Sequence, residues 1–200
     1  MWMRQPANRK GRECLYPDVS RTYHFGASGL NMNPYFQELY FKKHSINTLP
    51  HIVLNDLEKL ESEAYEVHLK SLLSRAIPVD QSTAFADPCT ALHLDNLIPP
   101  QPPPVPAVVP KNSSPLDDPH RPRVLFISMK DATDWETWNS ISKCLKIWDL
   151  DVRGVHKSSW RLLLKSTPFF VVGVPASPYA VYKPDNITPL FIPRPTTKAN

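Results

Sequence analysis

Val124-Leu125-Phe126-Ile127-Ser128-Met129, followed by Asp134 to Trp148, Trp160 to Lys165 and Phe169 to Val174, is the stretch whose reading decides the fold. The first run is short and apolar, which predicts a buried strand. Asp134 to Trp148 is expected as an amphipathic helix, because Trp135, Trp138, Ile141, Leu145 and Trp148 recur on one stripe. Trp160–Lys165 and Phe169–Val174 read as two strands, and Ser166-Thr167-Pro168 between them has the turn chemistry of a hairpin. Helices and strands mix without strict alternation, so the class is mixed α/β.

Upstream of this block, Asn55 to Arg75 predicts a helix. Asn55 and Glu58 have capping-box spacing, and Leu57, Leu60, Ala64, Val67 and Leu72 recur at helical intervals. Asn31 to Lys43 predicts another, with Asn33 as cap and Pro34 in the first turn. Leu15 to Phe25 fits a strand or an extended loop. Between Pro99 and Pro122 lie ten prolines, a composition that favours extended polyproline geometry and cannot fill a core. It reads as a surface insertion, with an SH3-type ligand as the alternative. The expected organisation is a first block over residues 1–98, the proline-rich linker over 99–122, a compact block over 123–183 and an extended tail over 184–200.

Composition sets the bounds. In 200 residues there are 23 prolines and only 5 glycines, which excludes collagen and disfavours a helical bundle. No run approaches the ~18 apolar residues that a membrane helix needs. A net charge of +4, from 23 basic and 19 acidic residues, is too balanced to argue for nucleic acid. Arg4, Arg9, Lys10 and Arg12 cluster without interleaved aromatics, so they read as a solvated helical face. The three cysteines, Cys14, Cys89 and Cys144, form no CxxC pair and no zinc spacing. Asn112-Ser113-Ser114 and Asn186-Ile187-Thr188 are sequons that would make sense in a secretory lumen, where an odd cysteine would want a partner outside the chain.

The residues alone leave the chemistry open. Asp149-Leu150-Asp151 has the D-x-D form that suits a hard cation, but it ends a helix rather than a buried strand. The bland reading is a turn whose acids pair with Arg153. Gly26-Ala27-Ser28-Gly29 lacks one residue of a nucleophile elbow and reads as a turn feeding the next helix; its amides could otherwise face a phosphate or sugar. By its spacing Trp148 is a core residue, yet an indole beside an Asp–Arg turn is also how sugars are held.

A resemblance sharpens this. Met1-Trp2-Met3-Arg4, Gly11-Arg12-Glu13-Cys14, Pro17 to Gly26, Gly29-Leu30-Asn31-Met32-Asn33, Tyr40 to His44, Glu63 to Val67, Lys143-Cys144-Leu145, Ile147 to Gly154, Trp160-Arg161-Leu162 and Val171 to Tyr179 closely resemble the protein O-linked-mannose β-1,2-N-acetylglucosaminyltransferases. N-acetylglucosaminyltransferase I is similar at greater distance. The resemblance implies the C-terminal portion of a GT-A type catalytic domain. It implies inverting transfer of GlcNAc from UDP-GlcNAc to the 2-hydroxyl of O-linked mannose, with Mn²⁺, on glycoproteins such as α-dystroglycan. The setting it implies is the Golgi lumen, as a type II membrane protein.

Carried over by position, Trp148 and Arg153 would hold the acceptor mannose. Leu30 and Asn31 would belong to the loop over the nucleotide sugar, Asn31 standing where N-acetylglucosaminyltransferase I has serine. Cys89 and Cys144 would form a family disulfide, and the partner of Cys14 would lie upstream. The family's catalytic Asp directly precedes the position of Met1, and its metal motif lies further upstream. No catalytic or metal-binding residue is therefore expected in this chain. The expected partner is the N-terminal half of the same enzyme, without which the chain would be inactive. The alternative is a non-catalytic isoform that binds O-mannosyl glycans or protein partners. Pro34, Ser158-Ser159 and the proline-rich linker depart from the family.

Overall fold

The computed structural model describes residues 5–12, 15, 20–22, 34–39, 46–48, 50–53, 55–79, 89, 121–145, 147, 154–165 and 167–192. They belong to two compact units, Met1–Leu49 and Pro50–Asn200.

In the first unit, proline begins both helices, α1 (Pro6–Arg9) and α2 (Pro34–Leu39). That position needs no amide donor and suits the fixed φ of proline. Lys10 closes α1 in the left-handed region, its amide donating to the Pro6 carbonyl. Arg12 donates from its guanidinium to the carbonyls of Arg9 and Asn8 at 3.2 and 2.8 Å. Arg9, Lys10 and Arg12 of the basic cluster are thus a solvated helix end, placed against the negative pole of the helix, while Arg4 lies outside the described residues. Ser20 and Ile46 pair in a parallel bridge. The remainder of the helix expected over Asn31–Lys43 lies outside the described residues.

The second unit contains α3 (Ser62–Ser74), β1 (Ile77–Pro78), β2 (Arg123–Met129), α4 (Trp135–Cys144), β3 (Val155–His156), β4 (Ser159–Leu164) and β5 (Thr167–Pro175). The sheet order is β1-β2-β5-β4-β3. β1, β2 and β5 run parallel, whereas β4 pairs antiparallel with β5 and β3 with β4. The expected hairpin is therefore the β4–β5 pair, but Thr167 and Pro168, expected in its turn, already pair with Leu164 and Leu163 as the start of β5. Side chains alternate about this sheet with period two, as strand geometry requires. Leu125, Ile127, Met129, Phe169 and Val171 pack with Trp138, Ile141 and Leu145 of the α4 side. Val124, Phe126, Phe170 and Val172 pack with Leu69, Leu72 and Leu73 of α3. Both faces are covered, which is why β2 and β5 are continuous apolar runs rather than alternating ones.

Two expectations need correction. The helix expected from Asn55 breaks: Leu57–Leu60 is a separate 3-10 turn, and Glu61 is extended with ψ 145° before α3 starts at Ser62. Asn55 and Glu58 make no capping box; instead the Asp56 carboxylate accepts from Lys59 Nζ at 2.7 Å. The break resets the buried face. Leu69, Leu72 and Leu73 are buried, whereas Leu57 and Val67 of the expected stripe are 54% and 70% exposed. The tail expected to be extended over 184–200 also turns at Pro184–Ile187 and is anchored where it is described, up to residue 192. Leu190 donates to the Phe126 carbonyl and accepts from the Ser128 amide, both at 2.8 Å, so it joins β2 beyond the end of β1.

Candidate functional site

A cluster of polar side chains centres on Glu66 of α3. The hairpin turn after β3 and the 3-10 turn Pro178–Tyr182 supply its partners. His156 Nε2 lies 2.7 Å from Glu66 Oε1, and Lys157 Nζ donates to the same oxygen at 2.6 Å. Tyr179 Oη donates across both carboxylate oxygens, at 3.0 and 2.8 Å. The aromatic rings brace one another: Tyr65 meets His156 edge-on with centroids 5.4 Å apart, and Tyr179 lies over it at 6.2 Å.

Sequence explains how each part arrives. Tyr65 and Glu66 sit in the first half of α3, above the buried positions Leu69, Leu72 and Leu73. Ser177 accepts from the Tyr179 amide and so caps the turn that points the phenol inward. Lys157 and Ser158 both have positive φ, 49° and 56°, as a two-residue hairpin turn of the primed type requires. Neither is glycine, so the turn needs outside support. It has that support from the Lys157–Glu66 pair, from Ser159 Oγ donating to the His156 carbonyl at 2.6 Å, and from the Gly173 amide donating to the Ser158 carbonyl at 3.0 Å. A Cβ on Gly173 would sit 3.1 Å from that same carbonyl and would collide with the Met129 side chain.

Burial by itself would raise the Glu66 pKa, but hydrogen bonds from Lys157, His156 and Tyr179 outweigh it and lower it to about 2. A carboxyl that far below neutrality is a poor proton acceptor, since general bases work best near the operating pH. Glu66 is a fixed anionic anchor.

A second feature lies at the carboxyl end of β2, where open α/β sheets usually place ligands. Here an open groove of about 350 Å³ is lined by Lys130, Asp131, Thr133, Asp134, Trp135 and Glu136. Asp134 accepts from the Lys130 amide, the Thr137 amide and the Thr137 hydroxyl; it is the cap of α4. Asp131 accepts from the Thr133 amide at 2.8 Å. Both acids hold the turn. Beneath it Trp138 and Trp160 stack with centroids 4.0 Å apart, both indole N–H groups buried without an acceptor.

Of the sequence-derived site residues, Trp148, Arg153, Leu30 and Asn31 lie outside the described residues, as do Cys14, Asp149-Leu150-Asp151 and Gly26 to Gly29. The described residues that flank Trp148 to Arg153 are Ile147, which packs against the α4-side core, and Gly154, which has φ 72° before β3. Cys89 and Cys144 are joined in a disulfide, with Cα atoms 4.8 Å apart, at the C-terminal end of α4. Among the described residues no group of three or more His, Cys, Asp or Glu is placed to hold a metal ion. No described helix is long and apolar enough to cross a membrane. Sequence reading missed the Glu66 cluster entirely. His156 and Tyr179 are 90 and 113 positions from Glu66, so no short motif could join them.

Residues 1–88 match the GNT-I family. The chain is also 30% identical over 82 residues to the alpha-1,3-mannosyl-glycoprotein 2-beta-N-acetylglucosaminyltransferase of Arabidopsis thaliana, an overlap covering 40% of this chain. It spans only 18% of that relative's length, and the likeness is to an N-acetylglucosaminyltransferase of the GNT-I type.

Proposed function

We propose that this chain forms the acceptor side of an inverting β-1,2-N-acetylglucosaminyltransferase that moves GlcNAc from UDP-GlcNAc to the 2-hydroxyl of O-linked mannose on glycoproteins. The match of residues 1–88 to the GNT-I family carries the reading at the level of the sugar transferred. The O-mannose acceptor rests on the resemblance of Ile147 to Gly154 and Val171 to Tyr179 to the O-mannose enzymes. In this reading the Trp148 indole stacks on the apolar face of mannose, and the Arg153 guanidinium gives its hydroxyls charge-assisted hydrogen bonds. Leu30 and Asn31 cover the nucleotide sugar. Mn²⁺ would take up charge on the departing diphosphate when bound by the complete enzyme, and no residue of this chain is assigned to it or to proton removal. The chain's place would be the Golgi lumen, a setting in which the Cys89–Cys144 disulfide persists.

The test is calorimetric titration of the disulfide-intact chain with a mannosyl-threonine peptide. Saturable binding that weakens at least tenfold in Arg153→Ala and in Trp148→Ala supports the assignment. Absent binding, or binding by either variant as tight as by the unaltered chain, would overturn it.

A further inference from the structure

Asn186-Ile187-Thr188 is a sequon that the transferase reading leaves unused, and its place in the fold gives it a use. Asn186 and Thr188 are exposed, while Ile187 between them is buried in the α3-side core. The segment is fastened on both sides of the asparagine. The Ile187 amide donates to the Pro184 carbonyl at 3.1 Å, closing a four-residue turn with Asn186 at its third position. Lys183 Nζ clamps that turn by donating to the Pro184 and Ile187 carbonyls at 2.9 and 3.0 Å. Downstream, Leu190 is hydrogen-bonded to β2 on both its amide and its carbonyl. The anchors are backbone atoms, the Lys183 ammonium and the buried Ile187 side chain; none is the Asn186 side chain. A large polar group on Asn186 would point into solvent and displace none of them.

We propose that Asn186 is an acceptor for N-linked glycan. The covalent step is a substitution by the lumenal oligosaccharyltransferase on a lipid-diphosphate-linked oligosaccharide. Asn186 Nδ2 loses one proton and forms a bond to the anomeric carbon of the first sugar. The bond from that carbon to the diphosphate oxygen breaks, and the lipid diphosphate leaves with the electron pair. The proposal rests on the lumenal setting of the reading above. The Cys89–Cys144 disulfide supports that setting from a separate observation, because disulfides persist in oxidising compartments. Pro189 directly follows the sequon. Proline biases its preceding residue, Thr188, to extended backbone, away from the compact form in which the threonine hydroxyl reaches the asparagine amide. Occupancy in the unaltered sequence is thus expected to be partial.

The experiment translates the full chain behind a cleavable leader in the presence of microsomes, in an Asn112→Gln background that leaves one sequon. Only leader-cleaved, protease-protected product is scored, so every scored molecule has entered the lumen. The expected result is a doublet that peptide N-glycosidase collapses to one band, with isotope incorporation from heavy-oxygen water at residue 186. Asn186→Gln removes the upper band, and Pro189→Ala shifts the population toward it. Lumenal product unmodified in both the Asn112→Gln background and its Pro189→Ala derivative would overturn the proposal. Mannosyl-peptide binding plays no part in this readout, so a modified chain that fails the titration sinks only the transferase assignment.

Discussion

Glu66 shows how one side chain ties three elements together. Its carboxylate receives Lys157, His156 and Tyr179, and its side chain is only 18% exposed, so loss of the charge leaves several donors short of their acceptor. Glu66→Gln keeps the shape and removes the charge. Hydrogen bonds to charged groups are worth about 1.5–3 kcal/mol each, so the variant should lose roughly that much at pH 7. The pH dependence has a definite sign. The folded carboxyl is lowered from 4.5 to about 2. Its contribution is therefore complete above pH 4.5 and disappears as the pH falls from there through 2. Urea unfolding at pH 7 and pH 3 should show the gap between wild type and Glu66→Gln narrowing at the lower pH. A gap that stays constant or widens would sink the anchor role. None of this was legible in the sequence, because the cluster exists only once α3, the β3 turn and the Pro178–Tyr182 turn have met.

At the scale of elements, reading succeeded where burial on both faces dominates and failed where tertiary packing chose the register. The apolar runs at Val124–Met129 and Phe169–Val174 correspond to β2 and β5, and Trp138, Ile141 and Leu145 of the expected stripe form the buried face of α4, because these patterns have one way to hide from water; Trp135 of that stripe is instead 37% exposed, and Trp148 lies outside the described residues. The helix from Asn55 failed at Glu61. Local spacing favoured a continuous helix, but α3 packs on the sheet through Leu69, Leu72 and Leu73, and the turn before it swings Leu57 and Leu60 outward. The corrected register is open to a paired substitution. Leu72→Ala removes a side chain that is 6% exposed and should destabilise by about 2–5 kcal/mol. Val67→Ala, at a position 70% exposed, should change stability by no more than about 0.5 kcal/mol. Equal losses in thermal or urea unfolding would restore the register that periodicity favours. Trp148 and Arg153 rest on resemblance alone, for no periodicity distinguishes a sugar-stacking indole from a core one.

For the whole second unit, the two covered faces of the sheet are fastened differently. The α3 face is held by apolar packing and by the Glu66 cluster, whereas the α4 face carries the disulfide from Cys89 to the last residue of α4. The bridge spans a sequence separation of 55 residues that contains β2 and the whole of the proline-rich linker. An unfolded chain so closed loses conformational freedom, and bridges of this kind typically stabilise by about 2–4 kcal/mol. Cys89→Ser/Cys144→Ser should accordingly unfold at a lower urea concentration than the oxidised chain. The asymmetry predicts more than a lower midpoint. Without the bridge, the end of α4 keeps Leu145 and Ile147 in the core but no covalent tether, while the contacts of α3 are untouched. Local opening should then become easier on one face first, since cooperative units open at free energies set by their own contacts. Native-state hydrogen exchange of the double variant should show α4 amides losing protection while those of α3 keep a larger share. Parallel loss in both helices would mean that the sheet transmits the disturbance to both faces and that the second unit opens as a single body.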